Sequence, residues 1–325
     1  MPSVRDVRNA FSSRGRIKTA GIAGATSRGA DRLPAAVDLS SYSPPVALQG
    51  GDNSCVSWIV GYYMRGWYAR RDGRDSSGNA RGFAPMYLYS QLSHGRDVTT
   101  SFEDNLAVLR DTGVDTRAHY AQGDDNYADA PTASERANAA RFAIAGYRVL
   151  FQADRQGAKA RWAIEQAMAA GNPVGLGIPV YDDFWNADAT HYHVDGARGK
   201  LYGNHAVFAA GYDRAGVWIE NQWGASWGLK GWVRLSWSFI DRYAWEAVTM
   251  RVAGGGGVRR PGYRLLPASP AVSSARRTRV GQVDWRTGAP SRARAGNSAG
   301  RTTGTRGRST TQGAPPTNTT TGVTL

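Results

Sequence analysis

The chain contains a single cysteine in 325 residues, Cys55, and this restricts its covalent chemistry. One cysteine cannot form an intramolecular disulfide. Hydrophobic residues make up 41% of the sequence and charged residues 20%, as expected of a soluble globular protein with polar additions.

The residues after Cys55 predict a helix that begins at or near it. Apolar side chains recur there at helical spacing, and Gly73 is a natural stop. At a helix start, unpaired N–H groups and the helix dipole favour a thiolate over a thiol. The sequence therefore predicts a nucleophile, and the alternative is a buried structural cysteine.

Gln49 lies six residues before Cys55 and carries an uncharged amide. A turn at Gly50 and Gly51 would fold this amide back beside the cysteine. It is then the right kind of donor for an oxyanion that forms during acyl transfer.

A second region supplies a candidate base. Residues 203–213 are typical of a buried strand with His205 near its start, and residues 216–224 are typical of its hairpin partner. In such a hairpin Asn221 would accept a hydrogen bond from the imidazole and orient it, while Trp223 would shield that bond from water. The alternative is a core histidine whose hydrogen bonds are satisfied structurally.

Gln49, Cys55, His205 and Asn221, in that order, resemble the catalytic set of the papain-like cysteine peptidases. The Gln-to-Cys gap of six residues and the His-to-Asn gap of sixteen match the family spacing. The block Asn221–Trp232 is similar to the family's Asn-Ser-Trp-Gly…Trp-Gly…Gly-Tyr signature. The resemblance covers roughly residues 37–253.

Two further segments, Ala84–Tyr89 and Asn172–Phe184, resemble the bacterial or phage-type branch of that family. The sequence departs from the family pattern at Val56, Asn204 and Gln222, where tryptophan, glycine and serine are usual. It also lacks a Gly-Gly segment like the one with which relatives pair the substrate backbone.

The resemblance implies cleavage of protein or peptide substrates through an acyl-enzyme, without a cofactor or a metal. It also implies that Cys55 and His205 rest as thiolate and imidazolium, so that a neutral Asn221 is sufficient to orient the ring. The sequence leaves open a related acyl-transfer enzyme, such as an amidase, a transpeptidase or a transglutaminase-like protein.

The predicted elements indicate an α+β fold. Helices are predicted over 85–92, 102–111, 134–145 and 156–170, and strands over 174–181, 205–212, 216–222, 231–237 and 245–252. A helical half is thus followed by a β half. The resemblance implies two lobes with the cleft between them, Cys55 on one wall and His205 on the other.

Three segments differ in charge. Residues 1–36 carry about +5 and residues 254–325 about +11, so the predicted peptidase domain, 37–253, carries about −2 of the total +14. The first segment is predicted to be a flexible basic arm, and a short peptide lying in the cleft is the alternative. The last is rich in Arg, Gly, Ser and Thr and is predicted to be a disordered tail.

The basic ends suggest a second class of function, in which the chain associates weakly with nucleic acid or an acidic partner. A tail without a specific partner is the alternative. No apolar signal region follows the start, which predicts a cytoplasmic location, with leaderless export left open. No membrane span is expected, and a monomer is expected.

His191, His193 and Asp195 alternate along the chain and would share one face of a strand. Such a group could bind a metal, but no fourth ligand is evident, and a polar loop at the cleft rim is the favoured interpretation. The dense tryptophans of the β half are interpreted as packing residues rather than a ligand platform.

Overall fold

A computed structural model describes residues 33–73, 82–153 and 156–253, together with the backbone of two short strands, Val283–Asp284 and Ala289–Pro290. These residues belong to one compact unit, Met1–Ser291. Most of the predicted basic arm and basic tail lies outside the described residues, so both remain predictions. Of the helices that the structure describes, none has the length and apolar character needed to cross a membrane.

The helix predicted after Cys55 is present and consists of three consecutive segments. An α-helical turn, Cys55–Ser57, continues into a π-helix, Trp58–Arg65, and then into an α-helix, Gly66–Arg71. Every residue from Cys55 to Ala69 is buried, so this helix lies inside the protein rather than on its surface. A helix this enclosed holds Cys55 firmly at its first position.

The other helices of the first half follow their sequence signals. Helix Pro85–Ser93 begins with proline, and helix Phe102–Thr112 is capped by the Ser101 side chain. The latter ends at Gly113, whose φ of 79° lies in the left-handed region that glycine tolerates. Helix Ala133–Ala139 carries a complete capping box, and helix Ala158–Ala169 precedes the third strand.

Eight strands form the sheet that carries the second half. They are β1 (Val37–Asp38), β2 (Gly146–Gln152), β3 (Val174–Tyr181), β4 (His193–Val194), β5 (Leu201–Tyr212), β6 (Gly216–Glu220), β7 (Trp232–Ser236) and β8 (Glu246–Arg251). Their order is β2-β8-β3-β5-β6-β7-β4, with β1 paired to β5. All pairs are antiparallel except β4 with β7.

Strand β5 separates two hydrophobic cores. Ala206, Phe208 and Ala210 belong to the core that surrounds the Cys55 helix. Val207 and Ala209 point the other way, into the core built on helix Ala158–Ala169 and the short helix Trp237–Tyr243. Because successive strand residues face opposite sides, a strand buried on both faces is apolar almost throughout. His205 lies on this strand, between two packed layers.

Three sequence predictions need correction. The helix predicted over 134–145 ends as an α-helix at Ala139 and as a 3₁₀ turn at Phe142. The next residues form strand β2, which pairs with β8 although the two are far apart in sequence. The helix Trp237–Tyr243, capped by Ser236, lies between two predicted strands and was not predicted. Sheet pairing overrides local helix propensity at β2, whereas the Ser236 cap starts a helix where the sequence pattern had indicated the end of a strand.

Candidate active site

The loop from Gln49 to Ser54 leads into the Cys55 helix, and its polar groups bond mainly to one another. In place of the turn predicted at Gly50 and Gly51, the chain bends over residues 51–53, and Gly50 has a φ of 85° that favours glycine. The Asp52 carboxylate accepts hydrogen bonds from the Ser54 backbone, at 3.2 Å, and from the Ser54 hydroxyl. The loop therefore has a fixed shape immediately before Cys55.

A second contact ties this loop to the neighbouring helix. Asp97 Oδ1 accepts the Asn53 backbone N–H at 2.7 Å and the hydroxyl of the buried Tyr89 at 2.6 Å. The Tyr89 hydroxyl oxygen in turn accepts the Val98 backbone N–H at 3.0 Å. We call Tyr89, Asp97 and Asn53 the loop clamp, because they connect helix Pro85–Ser93 to the loop that carries Cys55.

Gln49 is buried beside Cys55, as predicted. Its side-chain Nε2 donates to the Asp52 carbonyl at 2.9 Å, and its backbone N–H donates to the Gln222 carbonyl at 2.8 Å. The loop is thereby joined to the segment that follows strand β6. An amide donor thus lies at the predicted position, with one N–H occupied by the loop.

His205 and Asn221 come together as the hairpin prediction requires. Nε2 of His205 lies 2.9 Å from Oδ1 of Asn221, and both side chains are buried. This contact uses Nε2, so Nδ1 is the nitrogen that can serve Cys55. Tyr63, from the Cys55 helix, donates to the Asn221 carbonyl at 3.3 Å, which links the two halves directly behind the site.

Aromatic rings enclose the His205 imidazole. The Trp223 ring lies 4.7 Å from it, centroid to centroid, with 31° between the planes. Phe184 contacts both rings, and Trp227 packs against Phe184 at 4.9 Å. The predicted covering role of Trp223 therefore has the geometry it needs, and most tryptophans of this region are packing residues.

Burial shifts two pKa values at the site in opposite directions. Desolvation lowers the pKa of His205 to about 4, although the hydrogen bond to Asn221 acts to raise it. Desolvation raises the pKa of Asp52 to about 6, against the hydrogen bonds from Ser54. Both shifts favour the neutral form of the group. The surroundings of His205 alone thus oppose the resting imidazolium that the sequence suggested.

Cys55 and His205 line one open cleft. The cleft walls are formed by Gln49, Asp52, Asn53, Cys55, Val180, Trp185, Tyr202, Gly203, Asn204, His205 and Trp223. The sequence did not predict Asp52, Trp185 and Tyr202 as site residues. Asp52 lies in the loop that directly precedes Cys55 in the sequence. No sequence pattern near Trp185 or Tyr202 indicated a role in the site.

His191, His193 and Asp195 do not converge. His193 Nδ1 accepts from Arg234 Nε at 3.1 Å, Asp195 pairs with Arg198, and His191 bonds to its neighbour Thr190. In the described ranges, no group of three or more His, Cys, Asp or Glu residues is arranged to hold a metal ion. These residues form a polar loop, with only His193 in a strand.

Known proteins share both this sequence pattern and this architecture. Residues 99–246 match the family model described as "Papain family cysteine protease", a range that includes His205 and Asn221 and begins after Cys55. The solved structure of xylellain, a cysteine protease from Xylella fastidiosa, superposes with a TM-score of 0.55 over 68% of this chain and 87% of that chain. The fold is papain-like. Sequence identity in that superposition is 21%.

Two curated relatives extend the comparison. "Cathepsin K" of Gallus gallus is 29% identical over 213 residues, covering 63% of this chain and 59% of that protein. "Cathepsin B-like CP3" of Giardia intestinalis is 36% identical over 78 residues, covering 22% of this chain and 25% of that protein. The chain thus spans less than two thirds of the length of these relatives. The family match and the superposition agree on a papain-like fold.

Proposed function

We propose that the chain is a cysteine endopeptidase in which Cys55, His205, Asn221 and Gln49 carry the reaction. The observation that carries the proposal is the His205–Asn221 pair, at 2.9 Å, on the wall of a cleft that also contains Cys55 and Gln49. The cleft is open, as cleavage within a peptide chain requires. Its contents match the residues and roles of nucleophilic catalysis.

The first half-reaction forms an acyl-enzyme. The Cys55 sulfur attacks the scissile carbonyl carbon, its proton passes to His205, and the carbonyl oxygen becomes an oxyanion. The Gln49 amide and the Cys55 backbone N–H donate to that oxyanion. When the tetrahedral species collapses, the C–N bond breaks, and His205 gives its proton to the leaving amine.

The second half-reaction releases the acyl group. His205 takes a proton from water, the hydroxide attacks the thioester carbonyl, and the carbon–sulfur bond breaks to return Cys55. Asn221 keeps the imidazole oriented in both steps. Because burial favours neutral His205 while a nearby thiolate favours the imidazolium, the two groups titrate as a coupled pair.

Cleavage of a mixed peptide library, analysed by mass spectrometry, tests the proposal. Wild-type protein should cut peptides and react with an electrophilic peptide probe at Cys55, and Cys55→Ala should do neither. A folded Cys55→Ser variant controls for side-chain size and is also expected to be inactive. A metal chelator should not change the rate. Retained turnover in Cys55→Ala would contradict the assignment of the nucleophile.

Added amines distinguish hydrolysis from the alternative of acyl transfer to an amine, as a transpeptidase or a transglutaminase-like protein would catalyse it. A peptidase should give mainly the free acid product, and a transferase should give mainly the amine adduct. Binding to nucleic acid through the basic ends, and the bacterial or phage-type branch, both stay predictions. Salt-dependent DNA binding, measured beside probe labelling of Cys55, tests the former.

A further inference from the structure

The cleft lining contains two groups of side chains that differ in chemistry. Gln49, Asp52 and Asn53 are polar and belong to the loop that precedes Cys55. Trp185, Tyr202 and Trp223 present aromatic rings. Trp223 covers the His205–Asn221 hydrogen bond, which leaves Trp185 and Tyr202 to be explained.

Trp185 and Tyr202 form a stacked pair that extends the surface around His205. Their rings lie 4.6 Å apart with 13° between the planes. The Trp185 ring also contacts Trp223 at 5.3 Å, and Trp223 contacts the imidazole at 4.7 Å. A continuous series of rings therefore runs from His205 along the cleft wall.

Hydrogen bonds hold this pair in place. Trp185 ends the short helix Asp182–Trp185, whose last carbonyl accepts the Trp227 indole N–H at 3.3 Å. The Tyr202 hydroxyl bonds to the Asp182 carboxylate, which raises the pKa of the phenol. Both rings are half-buried, so each keeps surface directed to solvent. Rigid, partly exposed aromatic rings bind apolar groups with little loss of side-chain freedom.

The direction of the reaction decides which part of a substrate meets these rings. In the proposed mechanism His205 protonates the leaving amine, so the nitrogen of the leaving residue lies within hydrogen-bond reach of the imidazole. The ring series begins at that imidazole. The side chain of the residue immediately after the scissile bond is thus the one nearest to Trp185 and Tyr202.

We propose that the stacked Trp185–Tyr202 pair is a specificity site for an aromatic or large aliphatic side chain on the leaving-group side of the scissile bond. This inference rests on the peptidase function proposed above. Discrimination by contact with an apolar surface is roughly 10-fold to 100-fold in kcat/KM. The preference should appear in formation of the acyl-enzyme and be absent from its hydrolysis, because the leaving residue has by then departed.

Four quenched fluorescent peptides that differ only in the leaving-side residue, Phe, Leu, Gly or Asp, test the inference. Wild-type protein should cut the Phe and Leu peptides roughly 10-fold to 100-fold faster, in kcat/KM, than the Gly peptide. Trp185→Ala and Tyr202→Ala should bring this ratio close to one. Tyr202→Phe, which keeps the ring, should preserve it, whereas general damage to the fold would slow all four peptides alike.

Trp162→Ala is the matched control, because Trp162 is 52% exposed on helix Ala158–Ala169 and is not part of the cleft wall. It should keep the wild-type ratio. Equal cleavage of all four peptides by wild-type protein, or an unchanged ratio in Trp185→Ala, would overturn this inference alone. Failure to cleave any peptide would overturn the peptidase function and the inference together.

Discussion

The two walls of the cleft are stabilised by different interactions. The Cys55 wall is a polar loop, in which Asp52, Ser54 and the loop clamp supply hydrogen bonds close to solvent. The His205 wall is a strand buried on both faces, covered by aromatic rings and bonded through one neutral amide. The loop is therefore sensitive to single polar contacts, and the strand is sensitive to packing and burial.

The two walls are alike in their effect on charge. Burial lowers the pKa of His205 to about 4 and raises that of Asp52 to about 6, so both walls favour neutral groups. A low-dielectric site without compensating charge strengthens any ion pair formed inside it. In the proposed mechanism, a Cys55 thiolate and a His205 imidazolium are stabilised mainly by each other, which makes the geometry between the walls decisive.

The largest expected effect comes from His205→Ala, which removes the reacting group of the strand wall. General acid–base catalysis contributes roughly 10²–10⁴-fold, and His205 also stabilises the thiolate. We expect kcat/KM for a cleaved peptide to fall by more than about 10⁴-fold. If His205→Ala keeps partial activity, and imidazole added to the buffer does not raise that activity, another residue would be the catalytic base.

Gln49→Ala tests whether a side chain of the loop wall stabilises the oxyanion of the transition state. Loss of one oxyanion donor typically costs on the order of 10²–10³ in kcat, with little effect on KM. Because Gln49 also bonds to the Asp52 carbonyl, the melting temperature is measured in parallel. Near-normal kcat in a folded variant would mean that the donor lies elsewhere.

Asn221→Ala removes an orienting group and leaves both reacting groups in place. We expect kcat to fall by about 10²-fold or less, since misplacement of a catalytic group by about 1 Å has an effect of that size. Asn221→Asp adds a carboxylate next to His205, which favours the imidazolium. The alkaline limb of the pH profile should therefore move to higher pH in this variant.

Asp97→Asn tests whether the loop clamp positions Cys55. The amide oxygen still accepts hydrogen bonds, but without the charge that strengthens them, so we expect kcat to fall by about tenfold or less. Asp111→Asn is the control, because Asp111 is an exposed residue of helix Phe102–Thr112. Equal losses in both variants would exclude a positioning role for the clamp.

The smallest expected effects concern stability, and they have opposite signs. The folded-state pKa of Asp52 lies above its ordinary value, so its stabilising contribution is complete below pH 3.8 and is lost as the pH rises through about 6. The pKa of His205 lies below its ordinary value, so its contribution is complete above pH 6.5 and is lost as the pH falls through about 4.

Melting temperatures of Asp52→Asn and His205→Asn between pH 4 and 6.5 measure these contributions. Relative to wild type, Asp52→Asn should become more stable as the pH rises, and His205→Asn should become less stable. A domain of this size shifts by about 2–4 °C for each kcal/mol. Parallel curves for the two variants would contradict the contrast between the walls.

Much of this site was predictable from sequence, because its chemistry depends on a few residue types at fixed spacing. The Cys55 helix, the His205–Asn221 contact and the covering Trp223 follow from local patterns and the family resemblance. The Trp185–Tyr202 pair could not be predicted, since it depends on the register of β3 with β5, which pairs Tyr181 with Leu201 across a segment that has no hairpin signal. Strand β2 was missed for the same reason, as its partner β8 lies about a hundred residues later.

The loop clamp has a consequence for how the protein responds to oxidants. Hydrogen bonds, and no disulfide, join the Asn53 loop to Asp97, and Cys55 is the sole thiol in these 325 residues. A reductant that returns an oxidised Cys55 to its thiol therefore has no structural cross-link to break. Conversion of Cys55 to a sulfenic acid should switch off turnover while leaving the fold intact, and a thiol should restore it.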